Sequence, residues 1–121
     1  IPLIPWSSQA RGFFTGQYTR QMRRDPALAP PPQEKFTHSM LKVYGSDENF
    51  ERLERARRLG AEKGDFSAVE VALAWLLHKP FPLVPVVGPR NPAELASCVR
   101  ATALSLTQEE IEWLNLEEQR A

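Results

Sequence analysis

The chain has 121 residues, of which 42% are hydrophobic and 25% are charged, so it is long enough to bury a core. Fifteen basic residues balance fifteen acidic ones, and this zero net charge gives no electrostatic footprint for nucleic acid or an anionic membrane. One cysteine excludes an internal disulfide framework, two separated histidines argue against a metal cluster, and no apolar run approaches the ~20 residues of a membrane-spanning helix. This composition is typical of a cytoplasmic protein.

The first 45 residues predict a strand followed by a long excursion. Residues 1–6 form an apolar run that predicts a buried strand, although Pro2 and Pro5 weaken the signal. The chain starts inside this run, with no initiator Met and no signal peptide, so we expect a fragment of a larger domain. Residues 17–45 show no sustained periodicity and include three consecutive prolines, which predicts a long ordered loop.

The next segment predicts two helices. Ser46 can cap a helix that runs to about Lys63, and Gly64 is a plausible stop. Ser67 and Glu70 have the spacing of a capping box, in which each side chain satisfies an amide of the other residue. The helix that they open, over about 68–78, is apolar nearly all round and should be buried on most sides.

The remaining residues predict a strand and two helices. Residues 83–87 form a β-branched run before Gly88, which suits a strand covered on both faces. Asn91 and Pro92 are a cap and a first helical residue, and Thr107 with Glu110 is another capping box. The alternation of strands and helices predicts parallel strands in an α/β fold. Two such strands cannot close a sheet, so these patterns predict only part of an α/β protein.

Several segments, in order, resemble the aldo-keto reductase family. WSSQARGFFTG at 6–16 resembles the segment after barrel strand seven, and ALAWLL at 72–77 resembles helix seven. VVGPRNPAEL at 86–95 is similar to strand eight and its phosphate loop, and LSLT at 104–107 to the lead into the last helix. The resemblance implies that residues 1–121 are the C-terminal part of one (β/α)₈ TIM barrel. Residues 1–16 would give strand and cofactor loop, 17–45 the long loop, and 46–121 the helices, last strand and phosphate loop.

The resemblance also implies an activity. Full-length members transfer hydride between NADPH and an aldehyde or ketone, so the expected partners are a small carbonyl substrate and the rest of the barrel. The family's catalytic Asp, Tyr, Lys and His lie upstream of strand seven. Tyr18, Tyr44, His38 and His78 are not in matching contexts, so we assign no catalytic residue here and expect the isolated chain to be inactive.

The family's cofactor contacts map onto two loops and a helix. Trp6 would stack on the nicotinamide, and the pyrophosphate would be wrapped by Ser7, Ser8, Gln9, Ala10 and Arg11. In the second loop, Gly88 lets the backbone approach a phosphate, Pro89 follows it, and Arg90 suits the 2′-phosphate of NADP. The amides of the helix that begins near Pro92 add to this site.

The chain departs from the family pattern at the adenine end of the cofactor. Glu94 stands where a Gln or a basic residue is common, and Cys98 stands where an Asn often contacts adenine. These departures leave NAD possible beside NADP. Two further alternatives stay open: a non-catalytic, nicotinamide-binding regulatory subunit, and a free-standing helical interaction module. Upstream Asp, Tyr, Lys and His would separate the reductase from the regulatory subunit, and cooperative folding of the isolated chain would favour the module.

Overall fold

The computed structural model describes residues 3–4, 10–25, 28 and 34–117, with the backbone alone for 10–12 and 34–36. The described part is mostly helical. A 3₁₀ helix, Ala10–Thr15, comes first, and six α-helices follow it. They are α1 (Arg20–Arg24), α2 (Glu34–Tyr44), α3 (Asp47–Glu62), α4 (Ala68–Leu77), α5 (Pro92–Ala101) and α6 (Gln108–Leu114).

The predicted helix starts are confirmed by side-chain caps. Ser46 caps α3 by accepting a hydrogen bond from the Asn49 amide at 3.2 Å. Both capping boxes form: Ser67 with Glu70 opens α4, and Thr107 with Glu110 opens α6. These starts were predictable because each cap and its partner lie within four residues of one another.

The prediction of a long loop over 17–45 is wrong for two stretches. Helix α1 covers five of these residues and α2 covers eleven. Three residues of α2, Thr37, Met40 and Leu41, are buried at a spacing of three and four, which is the spacing of one helix face. Packing of this face against the core outweighs the proline-rich composition nearby.

The two predicted strands are represented by a single parallel bridge between Leu3 and Leu83. The Leu3 amide donates to the Pro82 carbonyl at 2.9 Å, and the Val84 amide donates to the Leu3 carbonyl at 2.8 Å. No longer strand occurs among the described residues. Val84 and Val86 are 56% and 50% exposed, so the described part of the chain does not cover this segment on both faces. A parallel strand needs neighbours, and the β-bridge described for this segment comes from Leu3.

The core lies mainly between α3 and α4. Leu59 of α3 and Val71 of α4 are both fully buried, and Phe13 of the 3₁₀ helix is 1% exposed. Trp113 of α6 is buried, while Trp75 of α4 is only partly buried and packs against the core. The core thus fixes the 3₁₀ helix, α3, α4 and α6 relative to one another.

His78 links the end of α4 to the segment before α6. Its Nδ1 lies 2.7 Å from the Ala74 carbonyl, and its Nε2 accepts from the Leu106 amide at 3.1 Å. Since the amide can only donate, Nε2 carries no proton and Nδ1 is the donor. The ring therefore satisfies a carbonyl at the end of α4 through Nδ1.

Glu110 joins α6 to the end of α3 and gives the fold a dependence on pH. Its Oε1 accepts from Lys63 Nζ at 3.0 Å and from the Thr107 amide at 2.9 Å. Burial raises the pKa of Glu110, but the bonds from Thr107 and Lys63 outweigh it, so the pKa lies below its ordinary value. The unfolded chain therefore binds this proton more tightly than the folded chain does. The stabilisation is present above the unfolded pKa and is lost as pH falls through the folded one.

We expect the free energy of unfolding to fall more steeply between about pH 6 and pH 3 in the native protein than in Glu110→Gln. Urea unfolding at successive pH values measures the two slopes. Glu109→Gln is the matched control, because Glu109 is exposed in the same turn of α6, and it should keep the native slope. Equal slopes for the native protein and Glu110→Gln would contradict this role.

Candidate functional site

The two segments that lead into the predicted cofactor loops are paired at Leu3 and Leu83. Because the Leu3–Leu83 bridge is parallel, both strands of the pair point towards the same edge. Ala10 and Arg11 lie farther along the first segment, and Gly88 follows the second. Trp6, Ser7, Ser8 and Gln9 lie outside the described residues.

The 3₁₀ helix that contains Ala10 and Arg11 is anchored by its two phenylalanines. The Phe13 ring lies 5.6 Å from that of Phe14 and 5.2 Å from that of Phe50 on α3, measured between centroids. With Phe13 almost fully buried, the backbone of this turn is tied to the core. The core thereby holds the end of the first predicted cofactor loop in place.

The second loop ends at a well-formed helix start. The Asn91 side chain accepts from the Glu94 amide at 2.9 Å, and Pro92 occupies the first turn of α5. Gly88 has no left-handed backbone angle, and a Cβ added there would meet no described atom within 4 Å. Nothing in the described part of the fold therefore requires glycine at this position. Close approach of a ligand to the backbone is a physical reason to have it.

Arg90 is held by Glu94, one helical turn along the chain. The Arg90 amide donates to Glu94 Oε2 at 2.7 Å, while Nε and Nη2 donate to Oε1 at 3.2 and 3.0 Å. The Arg90 side chain is nevertheless 86% exposed. The hydrogen bond to the Glu94 carboxylate raises the pKa of Arg90. The bonds donated by the amide and side chain of Arg90 lower the pKa of Glu94, so both groups stay charged at neutral pH.

Cys98 lies four residues after Glu94 on α5, so the two share a helix side. Both are partly buried, whereas Leu95 and Val99, each one residue further round the helix, are 51% and 61% exposed. The structure thus brings Gly88, Pro89, Arg90, Glu94 and Cys98 into one continuous stretch of loop and helix. The Arg90–Glu94 pair was only partly predictable: the spacing showed proximity, but not that one carboxylate would take three donors.

The tyrosines and histidines without a catalytic assignment are dispersed. Tyr18 is buried in the core, His38 is exposed on α2, and Tyr44 packs at the core edge. Among the described residues, no group of three or more His, Cys, Asp or Glu side chains is placed to hold a metal ion. No described helix is both long and apolar enough to cross a membrane.

Comparison with known proteins defines the class. The model of the aldo/keto reductase family matches residues 1–115, and the chain belongs to this family. It is 29% identical over 117 residues to a Saccharomyces cerevisiae protein that bears the name aryl-alcohol dehydrogenase AAD16, covering 94% of this chain and 31% of that protein. It is 30% identical over 113 residues to norsolorinic acid reductase stcV of Emericella nidulans, covering 92% of this chain and 25% of that protein.

A third relative is versiconal hemiacetal acetate reductase of Aspergillus parasiticus, 27% identical over 118 residues, or 94% of this chain and 31% of the relative. The chain therefore spans between a quarter and a third of the length of these curated relatives. All three carry the names of oxidoreductases.

Proposed function

We propose that this chain is the cofactor-binding C-terminal part of an NAD(P)-dependent reductase acting on a small aldehyde or ketone in the cytoplasm. The observation that carries the proposal is the Arg90 loop. An amide and a guanidinium of one residue converge on one anionic group, the Glu94 carboxylate, at the start of α5. This loop comes just after a segment that pairs in parallel with the first one. Donors at a helix start after a barrel strand suit a phosphate group. The three relatives named above, as reductases or an alcohol dehydrogenase, fit this reaction type.

Each loop has a proposed role. Trp6 faces the nicotinamide, and the pyrophosphate is wrapped by Ser7, Ser8, Gln9, Ala10 and Arg11. Gly88 and Pro89 let the backbone approach the adenosine end, Arg90 binds the 2′-phosphate of NADP, and Glu94 and Cys98 lie towards the adenine. When bound, the nicotinamide supplies the hydride, and these residues bind and orient it. The catalytic Asp, Tyr, Lys and His are proposed to lie upstream.

The exposed apolar segments support a barrel completed by further chain. Leu3 and Ile4 are 53% and 63% exposed, and Val84 and Val86 on the paired segment are exposed by half or more. Buried parallel strands have apolar side chains on both faces. We therefore propose that these residues are strands seven and eight of a (β/α)₈ barrel, covered by the rest of the domain. This exposure disfavours the free-standing helical module, which would leave the same side chains in water.

Replacing Arg90 tests the proposal. In the full-length protein, Arg90→Ala should weaken NADPH binding roughly ten- to a hundredfold while leaving NADH nearly unchanged, because only NADPH has the 2′-phosphate. The dissociation constants of both cofactors, measured by protein fluorescence, give the answer. Equal loss of affinity for both cofactors would indicate that Arg90 binds the pyrophosphate. No loss of affinity for either would show that Arg90 is not part of the site.

Arg57→Ala is the control for charge and folding, because Arg57 also forms an exposed ion pair with a glutamate, on α3. It should leave both dissociation constants unchanged. Turnover of an aldehyde with either cofactor then separates a reductase from a nicotinamide-binding regulatory subunit. A full-length protein that binds neither cofactor would contradict the proposed function.

A further inference from the structure

The donors that make Arg90 suitable for a phosphate are already engaged inside the chain. Both oxygens of the Glu94 carboxylate are used: Oε2 by the Arg90 amide, and Oε1 by two nitrogens of the guanidinium. A carboxylate and a phosphate recognise a guanidinium through the same paired hydrogen bonds. Glu94 and a 2′-phosphate therefore compete for one set of donors.

The position of Glu94 favours the Arg90–Glu94 pair over a contact between Arg90 and a 2′-phosphate. It lies in the first turn of α5, where a negative charge is stabilised by the helix dipole. Its own amide is bound by Asn91, which fixes the backbone from which the carboxylate reaches back to Arg90. Because the two residues are neighbours in the chain, closing the pair costs little ordering of the backbone.

We propose that Glu94 sets the cofactor preference of this protein by occupying Arg90 as an internal anion. The Arg90–Glu94 pair then weakens the binding of NADP more than the binding of NAD. This inference rests on the proposed function, because it assumes that Arg90 faces the adenosine ribose. NADP must open the Arg90–Glu94 pair and then place a phosphate beside a displaced carboxylate. NAD has a hydroxyl at this position and leaves the pair closed.

Glu94→Gln in the full-length protein tests the proposal, since it keeps the side-chain length and removes the charge. Two pairs of ligands are compared by calorimetry: NADPH with NADH, and adenosine 2′,5′-bisphosphate with adenosine 5′-monophosphate. We expect the variant to bind both 2′-phosphorylated ligands about five- to thirtyfold more tightly, from the loss of like-charge repulsion at close range. The other two ligands should change less than about twofold.

Glu54→Gln is the matched control, because Glu54 forms an exposed ion pair with Arg57 three residues away on α3. It removes the same charge outside the candidate loop and should change none of the four affinities. The gain from Glu94→Gln should also shrink in an Arg90→Ala background, because competition for Arg90 needs Arg90.

The outcomes separate this inference from the function on which it rests. If Arg90→Ala weakens NADPH binding but Glu94→Gln leaves it unchanged, the internal anion is refuted and the cofactor site stands. A gain from Glu94→Gln that is the same without Arg90 would also refute competition for Arg90. If the native protein and Glu94→Gln bind none of the four ligands, the proposed function itself fails.

Discussion

Gly60→Ala is expected to destabilise the protein by about 2 kcal/mol or more, although it replaces a glycine inside a helix. On helix propensity alone, the same change would stabilise α3 by about 1 kcal/mol. The structure reverses the sign of this expected change in stability. A Cβ at position 60 would lie 2.0 Å from the Phe66 carbonyl oxygen and 3.2 Å from a methyl of Val71. Both partners belong to the segment that begins α4, and the Phe66 amide donates to the Gly60 carbonyl at 2.9 Å.

Such a contact with backbone cannot be relieved by a change of rotamer, so α3 and the start of α4 would have to separate. Urea unfolding of the full-length protein measures the loss. Ala61→Gly is the control, because Ala61 is the exposed neighbour and reports propensity alone, with an expected cost of about 1 kcal/mol or less. An increase in the free energy of unfolding for Gly60→Ala would show that the close approach at Phe66 does not constrain the fold.

Gly60 illustrates which parts of the fold are open to prediction from sequence. The helix starts at Ser46, Ser67 and Thr107 were predictable because the cap and its partner are local in sequence. The close approach of α3 to Phe66 has no local pattern, since it depends on how two helices pack. Helix α2 was missed for a similar reason: its buried face is stabilised by packing, while its flanking prolines indicate a loop.

The candidate site likewise has features that the sequence predicts and features that it does not. The loop at Gly88 and the start of α5 were predictable from a β-branched run followed by Gly, Asn and Pro. The ion pair between Arg90 and Glu94 was not predictable, because an exposed arginine at this position is equally compatible with a free guanidinium and with a closed pair to Glu94. The anchoring of the far end of α5 was also missed, since its partner lies thirty residues away in the chain.

That anchor is the pair formed by Arg100, at the end of α5, with Glu70 in the first turn of α4. Arg100 Nη1 donates to Glu70 Oε1 at 3.0 Å, and the guanidinium also donates to the carbonyls of Gly64 and Asp65 at 3.0 Å each. The Glu70 side chain is 5% exposed, and the same oxygen accepts from the Ser67 amide at 2.9 Å. One buried carboxylate thus closes the capping box of α4 and fixes the helix whose other end starts at the Arg90 loop.

We expect Glu70→Ala to destabilise the full-length protein by about 2–3 kcal/mol. The lost cap contributes about 1 kcal/mol of this, and the charge-assisted bond to Arg100 about 1.5 kcal/mol, the low end of its range because Arg100 is 45% exposed. Glu70→Gln should cost less, since its amide oxygen still accepts from Ser67. Urea unfolding measures both, and Glu109→Ala on the exposed side of α6 should stay within about 0.5 kcal/mol of the native protein.

Cofactor binding gives this prediction a second readout. If Glu70 positions α5 through Arg100, then Glu70→Gln and Arg100→Gln should weaken NADPH and NADH binding to a similar extent, because neither residue contacts the 2′-phosphate. The double variant should lose no more cofactor affinity than the single variant that binds the cofactor more weakly, as expected for two residues acting through one interaction. Additive losses, or a loss confined to NADPH, would mean that the pair does not act by holding α5 in place.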